Sequence, residues 1–270
     1  MVLWPDLGTR VTVRYRRPAG SVPPLTDAVG HLLAIDPVVR VRTKAGAVVE
    51  FAPADAVALR VLPDTPVRTS QIRSLEHAAA TAWPAVDHAW LDGWLLRAGR
   101  GAGFEANSAV PLDVSADAST IPAIADWYTR RGLPPLLLIP DRLLRPPSDL
   151  VPESMHRMLV CDLRGPGGSL ERHAGVQVND ERHASVSFGA EAGVAATRAA
   201  VTDAPDGTRW VGLSADDQCS ERVCEALLAW GASRGATRGY LRVTGRNALA
   251  ESLGFRLHHH SRCFRLPVSL

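Results

Sequence analysis

Between Trp210 and Ala236 the chain reads WVGLSADDQCSERVCEALLAWGASRGA: an apolar run, a short polar stretch, then a helical pattern. A strand that turns into a helix start can cradle an anion, because the first backbone N–H groups of a helix are unpaired and its dipole favours negative charge. The turn itself, Asp216-Asp217-Gln218-Cys219-Ser220, argues the other way. It lacks a glycine that would let backbone close on a phosphate, and each aspartate would repel one by about 1 kcal/mol at a hydrated surface. Ser220 can equally serve as a helix N-cap, which needs no ligand. Two readings stand, an anionic cofactor site and a capped, empty helix start.

Other residue groups suggest less. In His258-His259-His260 the first and third imidazoles share a strand face and the second points away, so at most two converge. Cys263 is off their face, and no metal is expected. Arg14 and Arg16 share a strand face, as do Arg40 and Arg42. Such a face suits an acidic or nucleic-acid partner, or is the solvated side of a half-buried sheet. The chain has no G-x-S-x-G, no G-x-x-x-x-G-K-S/T and no H-E-x-x-H, which removes support for hydrolase, P-loop and zincin chemistry.

The elements that must hold these residues fall into two blocks. Residues 9–62 alternate with period two in five short runs, broken at Pro18-Ala19-Gly20, Asp36-Pro37 and Ala45-Gly46, which predicts a small, partly open barrel. After Leu62-Pro63-Asp64, a helix is expected with Thr69 or Ser70 as its cap and Ile72, Leu75, Ala79 and Trp83 along one stripe. Strands then alternate with helices. AWLDGWLLRAG and GFEANSAVPL read as strands, joined by a loop at Gly99 to Gly103. Trp127, Arg131 and Gly132 recur as Trp230, Arg234 and Gly235 with the same spacing, each after a strand and before another. This predicts a duplicated half-domain with each glycine closing its helix. The expected division is a small SH3/Tudor-like barrel at 1–65, a linker helix at 66–85 and an α+β domain at 86–270 with halves at 86–163 and 183–270.

Composition narrows the class. A net charge of +2 implies neither nucleic acid nor a membrane surface, and Lys44 is the only lysine among 30 basic residues, a bias of the source. No run reaches the roughly 18 apolar residues of a membrane span. The start has no secretory pattern, and the four cysteines form no CxxC pair, so a reduced cytoplasmic chain is expected.

Two blocks carry a family resemblance. DGWLLRAGRGAGFEANSAVPL resembles the "DGW-x-LR … ANSV-x-P" segment of actinobacterial GNAT-superfamily N-acetyltransferases, some with a small barrel in front and described as N-acetylglutamate synthase-like. LLAWGASRGATRGYLRV, NALAESLGF and HHHSRCFRL are similar to their closing block. The resemblance implies a GNAT-like mixed sheet and transfer of acetyl from acetyl-CoA to a primary amine. It implies a cofactor site at Leu213, Ser214, Ala215, Gln218, Cys219, Ser220, Glu221, Arg222 and Asn247, and acceptor contacts from Trp94, Arg97 and Asn107 on adjoining strands, with Arg97 available to a carboxylate. No metal is implied, and a homodimer is compatible. The chain departs from the pattern twice. The glycines expected before the helix fall on Gln218 and Ser220, and the tyrosine expected to protonate the leaving thiolate falls on Ala250. Tyr240, on the preceding strand, need not reach it. A base is still wanted, and Glu105, Glu251 and His183 are candidates by type. A catalytically degenerate GNAT scaffold that binds a ligand or partner is the alternative.

Overall fold

The computed structural model describes residues 2–62, 67–83, 85–99, 103–163, 176–186, 197–214 and 220–267. The chain divides into two compact units, Met1–Pro66 and Val67–Leu270.

The first unit is one antiparallel sheet of β1 (Arg10–Arg16), β2 (Leu25–Ala34), β3 (Val39–Thr43), β4 (Val48–Phe51) and β5 (Ala56–Val61), ordered β4-β3-β2-β1-β5. Strands β4 and β5 stand at opposite ends of that order, so the sheet is not a closed barrel. Alternation sends Val11, Val13, Val39 and Val41 into the core, where Tyr15 stacks on Phe51 at 4.1 Å. The other face carries the arginines. Arg14 grips Asp27 with two 2.9 Å hydrogen bonds, and Arg40 pairs with Glu50 at 2.8 Å. These pairs are exposed and contribute little. With its own core, a fragment of residues 1–66 is expected to fold alone. Its circular dichroism should show a cooperative thermal transition, and a coil spectrum without one would place the boundary elsewhere.

The second unit begins with α1 (Thr69–Ala82). Its N-cap is Arg68 rather than Thr69 or Ser70, and the Arg68 N–H donates to Gln71 Oε1 at 2.8 Å. Buried Ile72, Leu75 and Ala79 set its inner stripe. The helix expected as a linker belongs wholly to this unit, packing on the sheet through Leu75, Ala78 and Ala79 against Met158, Val160 and Tyr240.

Among the described residues eleven strands follow: β6 (Asp87–Leu91), β7 (Trp94–Ala98), β8 (Ala109–Pro111), β9 (Leu136–Pro140), β10 (Ser154–Asp162), β11 (Gln177–Val178), β12 (His183–Val186), β13 (Thr197–Asp203), β14 (Arg209–Ser214), β15 (Arg238–Val243) and β16 (Arg256–Arg265). Helix α2 (Ile121–Thr129) joins β8 to β9, α3 (Glu221–Ser233) joins β14 to β15, and the short α4 (Ala248–Ser252) precedes β16. The sheet order is β11-β12-β13-β14-β15-β10-β16-β9-β8-β7-β6. Its two parallel pairs, β8·β9 and β14·β15, lie in matching positions either side of centre. The two halves are therefore similar, but their last strands cross over: β10 follows β9 yet pairs with β15, and β16 follows β15 yet pairs with β9. Both α2 and α3 cover the face opposite α1, over the clusters around Leu137 and Phe264 and around Leu213 and Leu241.

The repeated Trp-x-x-x-Arg-Gly has a physical basis. Each arginine lies over the ring one turn back, Arg131 at 3.7 Å from Trp127 and Arg234 at 5.9 Å from Trp230. Gly132 and Gly235 adopt φ of +64° and +85°, and the next residue's N–H closes the helix on Tyr128 O and Gly231 O.

Three sequence expectations change. AWLDGWLLRAG is a hairpin, because Asp92 and Gly93 (φ +43° and +83°) turn β6 into β7. GFEANSAVPL is strand only from Ala109, since Ala106 N–H bonds Gly103 O and Asn107 N–H bonds Phe104 O in successive turns. At the histidine row, Met158 pairs with His259 and Leu159 with Leu257, so His258 is an extra bulged residue. The bulge cancels alternation there: His258 and His259, not His258 and His260, meet, Nδ1 to Nδ1 at 2.7 Å.

Candidate functional site

Helix periodicity places Glu76 on the apolar stripe of α1, four residues after Ile72, and burial there is nearly complete at 1% exposure. A carboxylate in that position needs partners. The sheet supplies them from two strands that flank β10. Arg242 Nη2 donates to Glu76 Oε2 at 2.7 Å, while His259 Nε2 and Ser261 Oγ reach Oε1 at 2.8 and 3.1 Å. Burial alone would raise the Glu76 pKa, but Arg242 and His259 outweigh it and hold the carboxyl far below its ordinary range. The tautomers that satisfy the chain have His259 donating from Nε2 and accepting at Nδ1 from His258 Nδ1–H. Burial, with His259 beside it, pushes the His258 pKa down to about 3.

Next to this cluster lies a small cavity with about 260 Å³ of empty space including its mouth, lined by Glu76, Ala79, Ala80, Trp83, Arg97, Glu105, Leu138, Tyr240 and Arg242. Glu105 enters it because the turns after Gly103 bend the chain inward. Burial raises its pKa, partly offset by Arg242 and Arg97. Arg97 projects from β7 toward α1, where Nη1 bonds Ala80 O at 3.4 Å and Nη2 bonds Ser108 Oγ at 3.1 Å. Burial and then the like charge of Arg242 lower its pKa to about 10. Tyr240 lies across Gly212 on β14, where any Cβ would run into the ring. Its Oη is buried with no hydrogen-bond partner among the described residues, and burial followed by the charge of Glu105 pushes its pKa well above 10. An acidic base in waiting, an unused hydroxyl and two guanidiniums therefore face one space.

The remaining sequence candidates lie apart. Trp94, three residues from Arg97, falls on the opposite face, packs under α2 and bonds Asp117 O through Nε1 at 3.0 Å. Asn107 is buried with Oδ1 unpartnered among the described residues, but it does not line the cavity. Glu251 is half-exposed and pairs with Arg246 at 3.1 Å. His183 bridges Asp180 and Ala82 O at 2.9 and 3.2 Å. Asn247 caps α4 by accepting from Ala250 N–H at 2.8 Å. Leu213 turns its side chain into the core, leaving only backbone to offer, and Ser214 ends β14 beyond the last parallel pair, Leu213 with Leu241. Ser220, Glu221 and Arg222 are exposed at the start of α3, Ser220 at the N-cap with extended backbone. Ala215, Gln218 and Cys219, with Asp216 and Asp217, lie outside the described residues.

Sequence reasoning missed Glu76, Arg242 and Tyr240 as a group. The signals were a glutamate on an apolar helical stripe and an arginine two residues after Tyr240, hence on the same face of a central strand.

Comparisons with known proteins place this geometry. Residues 5–60 match the family described as "Rv0428c N-terminal Sm-like domain", and residues 69–184 and 169–264 match "Probable histone acetyltransferase Rv0428c C-terminal". A curated Mycobacterium tuberculosis protein named "Probable histone acetyltransferase Rv0428c" is 58% identical over 293 residues, covering 97% of this chain and 96% of its own. Among solved structures, a GCN5-related N-acetyltransferase from Kribbella flavida aligns with TM-score 0.46 at 12% identity, over 75% of this chain and 97% of that one. One from Sphaerobacter thermophilus aligns with TM-score 0.36 at 11% identity, over 54% and 65%. The chain belongs to the Rv0428c family, GNAT-type acetyltransferases with a small N-terminal domain.

Proposed function

We propose that the chain transfers acetyl from acetyl-CoA to a primary amine at the cavity that Glu105 shares with Tyr240. The observation that carries this reading is the convergence there of a burial-raised carboxylate and a buried hydroxyl without a partner among the described residues. An unpartnered donor of this kind is what a carbonyl oxygen or thiolate completes, so the residues fit a thioester. Backbone at Leu213 and Ser214, just past the last parallel pair, and the first N–H groups of α3 near Ser220, Glu221 and Arg222 form the binding edge for the nucleotide end. Acetyl-CoA supplies an activated acyl carbon and a good leaving thiolate. Glu105 takes the proton that the attacking amine must lose as the C–N bond forms, and burial, by raising its pKa, makes it a stronger base than an exposed carboxylate. Tyr240 Oη donates a hydrogen bond where negative charge gathers as the C–S bond breaks. Arg97 and Arg242 keep the ionised base in a compensated field. The relative's name makes a protein lysine one acceptor class to include.

A second reading, a scaffold that binds without turnover, is favoured by Glu221 in the first turn of α3 and by the glycine-free stretch before it. Calorimetry with acetyl-CoA, followed by thiol release with a panel of amines, separates the two. Binding together with amine-dependent thiol release is expected. Binding without release favours the scaffold, and no binding overturns acyl transfer and leaves a scaffold for another ligand or partner.

A further inference from the structure

Strand β14 reads RWVGLS, and its interior holds a glycine, a residue that weakens a strand. The φ of Gly212 lies outside the left-handed region, so the backbone there would accept any residue and the reason for a glycine is space. Alternation turns Trp210 and Gly212 toward α1, and Val211 and Leu213 toward the opposite face. Tyr240 is the direct neighbour of Gly212 on β15, and its ring leans sideways across β14. A Cβ at Gly212 would overlap Tyr240 Cζ and Oη, so the contact is made by the hydroxyl end of the ring. To restore ordinary contact, Oη would have to move by about 1 Å.

The rest of the ring is enclosed as well. Ala200 on β13 pairs with Gly212 from the other side, and α1 brings Leu75, Ala78 and Ala79 into the same cluster. Trp210 meets the ring edge-on, with centroids 6.3 Å apart. Small residues on three elements therefore make one slot for the phenol, and Gly212 is its floor.

Resting on the acyl-transfer reading above, we infer that Gly212 is a positioning residue, its missing side chain being what holds Tyr240 Oη at the cavity. This role differs from that of the next two residues of β14. Leu213 and Ser214 offer backbone to acetyl-CoA, whereas Gly212 offers room to the group that meets the charge forming on it. A larger residue at 212 leaves cofactor affinity in place and moves the donor away from the C–S bond. In a preorganised site, misplacement by about 1 Å can cost about 100-fold in rate.

The test is a cycle of Gly212→Ala with Tyr240→Phe, read by thiol release with acetyl-CoA and the most active amine of the panel. Gly212→Ala should lower kcat by about 10- to 100-fold and leave KM for acetyl-CoA within about twofold. In the Tyr240→Phe background no hydroxyl remains to be misplaced, and the further loss should stay below about threefold. A loss of equal size in both backgrounds, or an unchanged kcat, overturns the role. Thermal melting supplies a second cycle that needs no turnover. Gly212→Ala should lower the transition by several degrees, but not in a Tyr240→Val background, where the ring is gone. Equal lowering in both backgrounds overturns the proposal. If the natural chain acetylates no amine, acyl transfer fails and the melting cycle alone decides whether Gly212 holds the ring. If Gly212→Ala does not fold, its rescue by Tyr240→Val upholds the slot, and failure of that rescue overturns it.

Discussion

Glu105→Gln is expected to lower kcat/KM for acyl transfer by about 100- to 10,000-fold, the range associated with losing a positioned general base. The substitution keeps size and removes only the ability to hold a proton, so melting temperature should change little. The natural chain should lose activity as pH falls, because the base works only when ionised. Burial has moved its pKa upward, so that acid limb should lie above the ordinary 4.5, and in Glu105→Gln it should vanish with the rate. Thiol release measured from pH 5 to 9, with thermal melts alongside, decides the matter. A variant retaining more than roughly a tenth of the activity would remove Glu105 from the chemistry.

The second large effect is on stability. Glu76→Ala should destabilise the second unit by about 3–5 kcal/mol, since it leaves Arg242 buried without its carboxylate and strips His259 and Ser261 of their acceptor. That is a large part of the roughly 5–15 kcal/mol by which domains are stable. Urea unfolding followed by tryptophan fluorescence measures it, and a change below roughly 1 kcal/mol would mean the pair is worth no more than a surface one. The pH dependence has a definite sign. The folded pKa of Glu76 is depressed, so its contribution is complete above about 4.5 and shrinks as pH falls below that value. The folded pKa of His258 is also depressed, to about 3 from 6.5, so the unfolded chain binds the extra proton in between. Stability should therefore begin to fall as pH drops below 6.5, and Glu76 should add to the loss only at lower pH.

What the sequence revealed, it revealed through short-range rules. The five period-two runs became five strands, and the Trp-x-x-x-Arg-Gly repeat correctly marked two helix ends, because ring stacking one turn back and a left-handed cap are local events. Glu76 was invisible as a site residue for the opposite reason. Its partners lie 166 and 183 positions away, on strands whose neighbours are fixed only by sheet pairing. Pattern alone could not show that β16 carries an extra residue at His258, since a bulge is defined against its partner strand. Glu105 was chosen by type and sits in the cavity. Trp94 was chosen from the same motif and sits under α2, because three residues along a strand reverse the face.

The exchanged central strands have a mechanical consequence. Because β10 and β16 each lie in the other half's territory, the halves are dovetailed rather than hinged. Drawing them apart would mean unzipping the β10·β15, β10·β16 and β16·β9 ladders, not swinging about a linker. Helix α1 bolts across this joint, with one carboxylate tied to β15 and β16 at once. A clamshell motion of the two halves is thereby denied to this sheet. Of the residues that line the cavity, Trp83 at the end of α1 and Glu105 in its turn stand outside these ladders, so they can shift without parting a strand.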